Sequence, residues 1–205
     1  MRQSPRQLIL PVSDILATQS TVSILLNAVT GIRAKIVVGF NNSARLKALL
    51  AGDADFYTAA ADAELQPLLK SGDIQSLYTI VGETFPPEVD RSRTLESFLV
   101  KGAPPGVVEF IRSARGMGRA FFAPPGVSAE DVATLRSVFA KVLVDPDFIK
   151  EANSQGIPVA AVEWTEVERG VSHLMPADAA AKAQLDKAYE CGLAMSEGKV
   201  DRCDF

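Results

Sequence analysis

Two clusters of small polar residues each follow a hydrophobic run near the start of the chain. The first is Ala-Thr-Gln-Ser-Thr at 17–21, after the run at 8–10, and the second is Phe-Asn-Asn-Ser-Ala at 40–44, after the run at 34–38. Such residues commonly precede or begin helices, whose first turn offers unpaired backbone N–H groups and the positive end of a dipole. Two adjacent helix starts can hold a small anion without a charged side chain. Plain helix capping is the alternative interpretation.

A third segment adds two candidate residues. Asp55 is expected to bond to a helix or loop, and Thr58 is expected to face a cleft and donate a hydrogen bond. The candidate ligand contacts are therefore the polar positions of the two clusters and of this segment: Thr18, Gln19, Ser20, Thr21, Asn41, Asn42, Ser43, Ala44, Asp55 and Thr58.

The elements that must position these residues alternate between strand and helix patterns. The patterns predict strands over 7–10, 34–38, 55–58 and 75–81, and helices over 19–30, 43–50 and 63–69, with Gly31 ending the first helix. This alternation is typical of a parallel α/β sheet. The polar clusters would then lie at the carboxyl ends of the strands, where open sheets bind ligands.

The second half of the chain reads as mostly helical. Glycine-rich stretches at 102–106 and 116–118 are expected to break the chain, and 119–123 to form a strand. Helices are expected after the capping residues Ser128, Asp145 and Thr165, with Asp131 and Glu168 completing two capping boxes. The last predicted helix covers 177–189 and stops near Gly192.

The sequence lacks the residue patterns that several classes of protein function require. His173 is the sole histidine, no G-x-S-x-G, phosphate-loop or dinucleotide-binding pattern occurs, and the sequence predicts no enzyme, cofactor or metal site. The net charge is −4 with scattered basic residues, which argues against nucleic acid. No apolar run reaches the roughly 20 residues of a membrane span, so the chain is expected not to be membrane-embedded.

The expected state of the two cysteines depends on the cellular compartment of the protein. Cys191 and Cys203 lie close together in sequence without a metal-binding pattern. In an exported protein they would form a disulfide, and in the cytosol they would remain thiols. Residues 1–5 do not begin a signal peptide, so the chain is expected to be cytosolic or to be given without its upstream part.

The order of several motifs resembles a known family. Residues 122–128, 143–148 and 155–156 are similar to the "L-L-A-P-A-G-T-P", "L-A-D-P-E-V" and "A-A-Q-G" stretches of tripartite tricarboxylate transporter receptors, the Bug family. Residues 31–58 resemble the family segment that contains Ser-Ala and a Gly-Gly-Gln-Val-Asp turn. The resemblance extends over most of residues 7–190.

The resemblance implies an α/β, periplasmic-binding-protein-like fold of type 2, with a parallel-rich sheet flanked by helices. Residues 1–115 would form the α/β lobe with the binding loops. Residues 116–205 would supply a crossover strand and the helical part of a partial second lobe. The implied function is a periplasmic receptor that captures a small organic acid for the membrane subunits of a tripartite carboxylate transporter. The family contacts carry over to Gln19, Ser20, Thr21, Asn42, Ser43 and Ala44. By the same resemblance, Asp55 would either bind an amine or hydroxyl of the substrate or order the loop.

Two departures from the family pattern affect these expectations. Family members begin with a signal peptide and further residues of the first lobe, and the given sequence starts later. Gln19-Ser20-Thr21 stands where the family has a glycine-rich turn, and Asn41-Asn42 replaces the family's Lys-Gly. These bulkier loops are expected to narrow or redirect the pocket. A sensor or interaction module that keeps this fold without a role in transport is the alternative.

Overall fold

Two parallel strands form the sheet of the computed structural model. Strand β1 spans Leu8–Pro11 and strand β2 spans Ala34–Val37, with Leu8 opposite Ala34. Helix α1, Thr18–Thr30, connects them and ends at Gly31, which has φ 66°. The predicted strand–helix–strand order is confirmed here. The structure describes residues 6–59, 64–80, 87–117, 120–155, 157, 159–176 and 178–205.

The prediction of a third strand over 55–58 is wrong, although this segment lies beside β1. The amide of Asp55 donates to the carbonyl of Ile9 at 3.0 Å, while the amide of Ile9 donates to Asp55 Oδ2 at 2.8 Å. A carboxylate thus takes the place of a backbone carbonyl, and the ladder does not continue. The strand expected over 75–81 is reduced to one bridge between Thr79 and Thr94, and residue 81 lies outside the described part.

The core lies where α1 packs against two later helices. Helix α4 spans Pro105–Gly116 and helix α8 spans Ala179–Ser196, and both contact α1. The shared apolar cluster draws on all three helices: Val22, Leu25, Leu26, Val29, Val107, Val108, Ile111 and Ala188. Because α1 is covered on several sides, every residue from Val22 to Thr30 is buried.

Helix α8 continues through the glycine that was predicted to stop it. A Cβ atom placed on Gly192 would lie 2.0 Å from the carbonyl oxygen of Ile24 on α1. Gly192 therefore permits close helix packing and does not act as a cap. The stop prediction failed because sequence spacing does not show which residue faces another helix.

Helix α4 was not predicted. The stretch at 102–106 was expected to break the chain, but Pro105 is the first residue of the helix, a position that favours proline. Its buried face carries Val107, Val108 and Ile111 at helical spacing. The glycines on either side of this pattern led the sequence argument to predict breaks in the chain and no helix.

Helix α2 spans Asn42–Ala51 and α3 spans Gln66–Ser71, and a short 3-10 helix covers Leu95–Phe98. Helices α5, α6 and α7 cover Ala129–Leu143, Pro146–Ser154 and Trp164–Leu174. These bounds place all three C-terminal helices where the sequence predicted helical structure.

Two of the three predicted helix caps are confirmed. The side chain of Ser128 accepts from the amide of Asp131, and Asp145 accepts from the amides of residues 147 and 148. The third is wrong, because α7 begins at Trp164 and places Thr165 inside the helix. The strand expected over 119–123 is not formed by the described residues 120–123, whose phenylalanines are exposed.

The architecture is mixed α/β and mostly helical, with a small parallel sheet. Helix α8 packs on α1, so the end of the chain joins the core formed by its first half. The division at residue 115 stays a prediction. Within the described ranges, no helix has both the length and the apolar character needed to cross a bilayer.

Candidate functional site

The loops that follow β1 and β2 are bonded to each other at the carboxyl edge of the sheet. The amide of Val12 donates to the carbonyl of Val37 at 2.8 Å, and the amide of Phe40 donates back to Val12 at 3.0 Å. The amide of Gly39 donates to Ser13 at 3.0 Å. The starts of α1 and α2 therefore lie along one edge, as the parallel register requires.

At the start of α1, two of the expected donors are already used inside the protein. The amides of Ser20 and Thr21 donate to the carbonyl of Ala17 at 2.9 and 3.1 Å, and the Ser20 hydroxyl donates to the carbonyl of Asp14. Among the described residues, no acceptor bonds to the amides of Thr18 or Gln19. The amides that remain for a ligand are thus those of the first helical residues.

At the start of α2, the polar cluster caps its own helix. Asn41 Oδ1 accepts from the amide of Ala44 at 2.9 Å, and Asn42 Oδ1 accepts from the guanidinium of Arg45. In the described part of the chain, the amides of Asn42 and Ser43 have no acceptor. The ordinary capping interpretation therefore accounts for Asn41 and Ala44, and it leaves Ser43 exposed at the edge.

The carboxylate of Asp55 is bonded to other parts of the protein and is not available to a ligand. Its two oxygens accept from Arg6 at 2.8 and 2.5 Å, and Oδ2 also accepts from the amide of Ile9. The hydrogen bonds from Arg6 are the main reason that the pKa of Asp55 is lowered. The carboxylate fastens the extended segment 54–58 to β1, which was one of the two roles considered for it.

Gln19 and Thr58 are brought together, although they are far apart in sequence. Gln19 Nε2 donates to the Thr58 carbonyl at 2.8 Å and lies 3.3 Å from its hydroxyl. Strand β1 thus has β2 on one side and the segment 54–58 on the other.

Arg45 is a candidate site residue that the sequence argument missed. It lies in α2 and is 7% exposed, yet its Nε and Nη1 atoms have no hydrogen-bond partner. Its guanidinium carbon lies 5.6 Å from the centre of the Tyr57 ring. Burial lowers the pKa of Arg45. The available signal was a cation three residues before Ala48, on the same helix face as that apolar residue.

A second partly buried arginine, Arg115, lies in α4. The amide of Val100 donates to the carbonyl of Val29 at the end of α1, shortly before α4 begins, and the two helices pack together. Helix α4 packs against α1 and carries Arg115 in its last turn. Burial and the positive charge of Arg45 both lower the pKa of Arg115.

These two arginines differ from the other arginines in the described structure that have carboxylate partners. Arg33 pairs with Asp201 at 3.0 Å and Arg136 with Glu168 at 2.7 Å. No carboxylate of the described residues pairs with Arg45 or Arg115. Among the described residues, the buried Arg45 thus carries its positive charge without a carboxylate partner.

A separate cleft of about 240 Å³ lies between α4 and α7. Ser113 Oγ lies 3.0 Å from His173 Nδ1 on its wall, a contact that the sequence did not predict. A serine nucleophile needs an exposed turn and a base oriented by a third group. Ser113 lies within a helix, and no described carboxylate bonds to His173. The pair links the two helices.

The cysteines form a disulfide, with the Cα atoms of Cys191 and Cys203 5.9 Å apart. It joins the last helix to the chain terminus. Among the described residues, no group of three His, Cys, Asp or Glu side chains could hold a metal ion. Comparison of the chain with protein-family models, with curated proteins and with solved structures found no match.

Proposed function

We propose that this protein binds a small organic carboxylate at the carboxyl edge of its sheet, as the periplasmic receptor of a tripartite tricarboxylate-type transporter. The observation that carries the proposal is the buried, unpaired guanidinium of Arg45. Three of the five N–H bonds of an arginine lie on Nε and Nη1, and here none of the three has an acceptor. A ligand carboxylate would supply the missing acceptor.

The surroundings of Arg45 suit an anion. The amides of Asn42 and Ser43 are unbonded at the positive end of α2, one turn or less from Arg45. Within the described residues, the backbone amides of Thr18 and Gln19 are likewise unbonded at the start of α1. Arginine binds carboxylates more strongly than neutral donors do, because the hydrogen bonds are charge-assisted. The proposed site thus combines helix-start amides, which the sequence predicted, with the positive charge of Arg45, which the sequence did not predict.

Two further observations support the receptor role. The resemblance to the Bug family extends over the loops that form this edge, and that family delivers carboxylates to membrane subunits. The Cys191–Cys203 disulfide is of a kind that persists in oxidising compartments such as the periplasm. Both favour an exported receptor over a cytosolic protein.

The test is isothermal titration calorimetry with a panel of small mono-, di- and tricarboxylates. We expect at least one acid to bind the intact protein, and Arg45→Met to weaken it about 10- to 100-fold through the loss of charge-assisted hydrogen bonds. Lys47→Met is the matched control, since it removes the same charge from the exposed side of the same helix. Absence of heat with every acid, or equal effects of the two variants, would contradict the proposal.

A further inference from the structure

Helix α5 presents an apolar stripe that the rest of the described chain does not cover. None of the 15 residues of this helix is buried. Its large apolar residues recur at the spacing of one helix face: Leu135, Val138, Phe139 and Val142. Each of these four is between 38% and 51% exposed, and Phe121 extends the α5 stripe, since its ring centre lies 4.7 Å from that of Phe139. Helices in proteins gain most of their stability by packing such a face against a neighbour.

The exposed area of the α5 stripe is that of an interaction surface. A phenylalanine side chain presents about 150–250 Å², and leucine and valine somewhat less, so these side chains together leave roughly 400 Å² of apolar surface exposed. Contiguous patches of several hundred Å² mark surfaces that bind another molecule. Since about three fifths of a protein–protein interface is apolar, two such patches fit an interface of roughly 1,300 Å² in total, near the lower end of specific associations.

The two long edges of the α5 stripe differ. On one edge, Arg136 faces α7, where it donates to Glu168 at 2.7 Å and its guanidinium carbon lies 3.6 Å from the centre of the Trp164 ring. The other edge carries Glu130 and Lys141, which lie about three helical turns apart on the same side of α5. Both are exposed, and no ion pair joins either of them to another described residue.

We propose that α5 binds the α5 helix of a second copy of this chain in an antiparallel, two-fold symmetric pair. A two-fold axis brings the same surface of both copies together, so that surface must complement itself. In the antiparallel arrangement, Glu130 of one copy faces Lys141 of the other along the free edge, with Leu135 and Val138 near the axis. Because α7 occupies the opposite edge in both copies, it does not obstruct the contact.

The charges of α5 favour this occupant over two others. A parallel pair would place like charges beside each other and align the two helix dipoles, which is unfavourable. An anionic membrane surface would meet the acidic first turn, Glu130 and Asp131, which anionic lipids repel. This inference is independent of the proposed carboxylate site, which contains no residue of α5.

Sedimentation equilibrium of the intact protein from about 1 to 200 μM tests the proposal. We expect a dimer with a dissociation constant of about 1–100 μM, as suits an interface of this size. Val138→Asp places two carboxylates near the axis and should raise the dissociation constant at least about 10-fold. Ala133→Asp is the matched control, since it adds the same charge on the opposite, exposed face of α5 and should leave the constant unchanged. Thermal unfolding of each variant verifies that it is folded.

Charge reversal tests the antiparallel direction. Glu130→Lys and Lys141→Glu each place like charges across the pair, so each should weaken the dimer about 3- to 10-fold at low salt. The double variant restores opposite charges in both contacts and should return the dissociation constant to within about twofold of the original.

Each result supports or overturns the proposal. A protein that is monomeric at every concentration would overturn it, as would a dimer that Val138→Asp leaves intact, because the contact would then lie elsewhere. Single reversals without effect, or a double variant as weak as the single ones, would refute the antiparallel pair. If the intact protein is monomeric but floats with vesicles of phosphatidylcholine and phosphatidylglycerol, and Val138→Asp abolishes the flotation, the α5 stripe binds a membrane surface and the proposal is wrong.

Discussion

Replacement of Arg45 by methionine should stabilise the protein in the absence of ligand. An arginine that serves the fold has its N–H groups bonded, and its removal leaves partners unsatisfied. Arg45 is buried with two nitrogens unbonded, which is the arrangement that the proposed ligand site requires. Methionine has a similar length, no charge and no donor that needs an acceptor.

The magnitude follows from the contacts of Arg45. Each unsatisfied buried donor group costs about 1–3 kcal/mol, and Nε and Nη1 are two such groups. Against this, the variant loses the charge-assisted hydrogen bond to Asn42, worth about 1.5–3 kcal/mol, and a contact with Tyr57 worth about 0.5–1 kcal/mol. At the middle of these ranges the net expectation is a gain of about 1 kcal/mol, or a rise in Tm of about 2–4 °C for a chain of this size.

Urea unfolding without ligand measures this difference. Lys47→Met is again the control, because Lys47 is exposed on the same helix and its replacement should change the free energy of unfolding by less than about 0.5 kcal/mol. A saturating ligand should reverse the order and make the original protein the more stable one. Destabilisation of the ligand-free protein by Arg45→Met would refute the reasoning, since it would show that the guanidinium supports the fold.

Two further predictions concern the scaffold. Gly192→Ala should destabilise the protein by about 3 kcal/mol or more in urea unfolding, because its methyl group would overlap a backbone carbonyl of α1. Gly106→Ala, with no atom within 4 Å of the new Cβ, should be neutral or slightly stabilising, and a comparable loss there would contradict the packing argument. Arg6 and the amide of Ile9 lower the pKa of folded Asp55, so its contribution is present above about pH 4 and is lost as the pH falls through the folded value. Asp55→Asn should therefore reduce stability at pH 7 and flatten its decline under acid, and an unchanged acid profile would count against this role.

The elements that the sequence predicted well are those in which local signals agree. Helix α1 has its apolar residues on a helical period and Gly31 at its end, and α6 begins with Asp145 followed by proline. Both signals act within one turn of the chain, so no knowledge of distant residues is needed. The segments 54–58 and 75–80 looked like strands by composition, but a strand also needs a neighbour that accepts its hydrogen bonds, and composition does not supply that.

By itself, the sequence determined that two helices start beside each other at the carboxyl edge of a parallel pair of strands. That result follows from periodicity and caps, which are local. Only the tertiary structure decided which groups at that edge are available, because Asp55 is engaged by Arg6 and Gln19 by Thr58, each distant in sequence. It also buried Arg45 without a partner for two of its nitrogens, since whether a charged side chain is buried and unpaired depends on packing between segments distant in sequence.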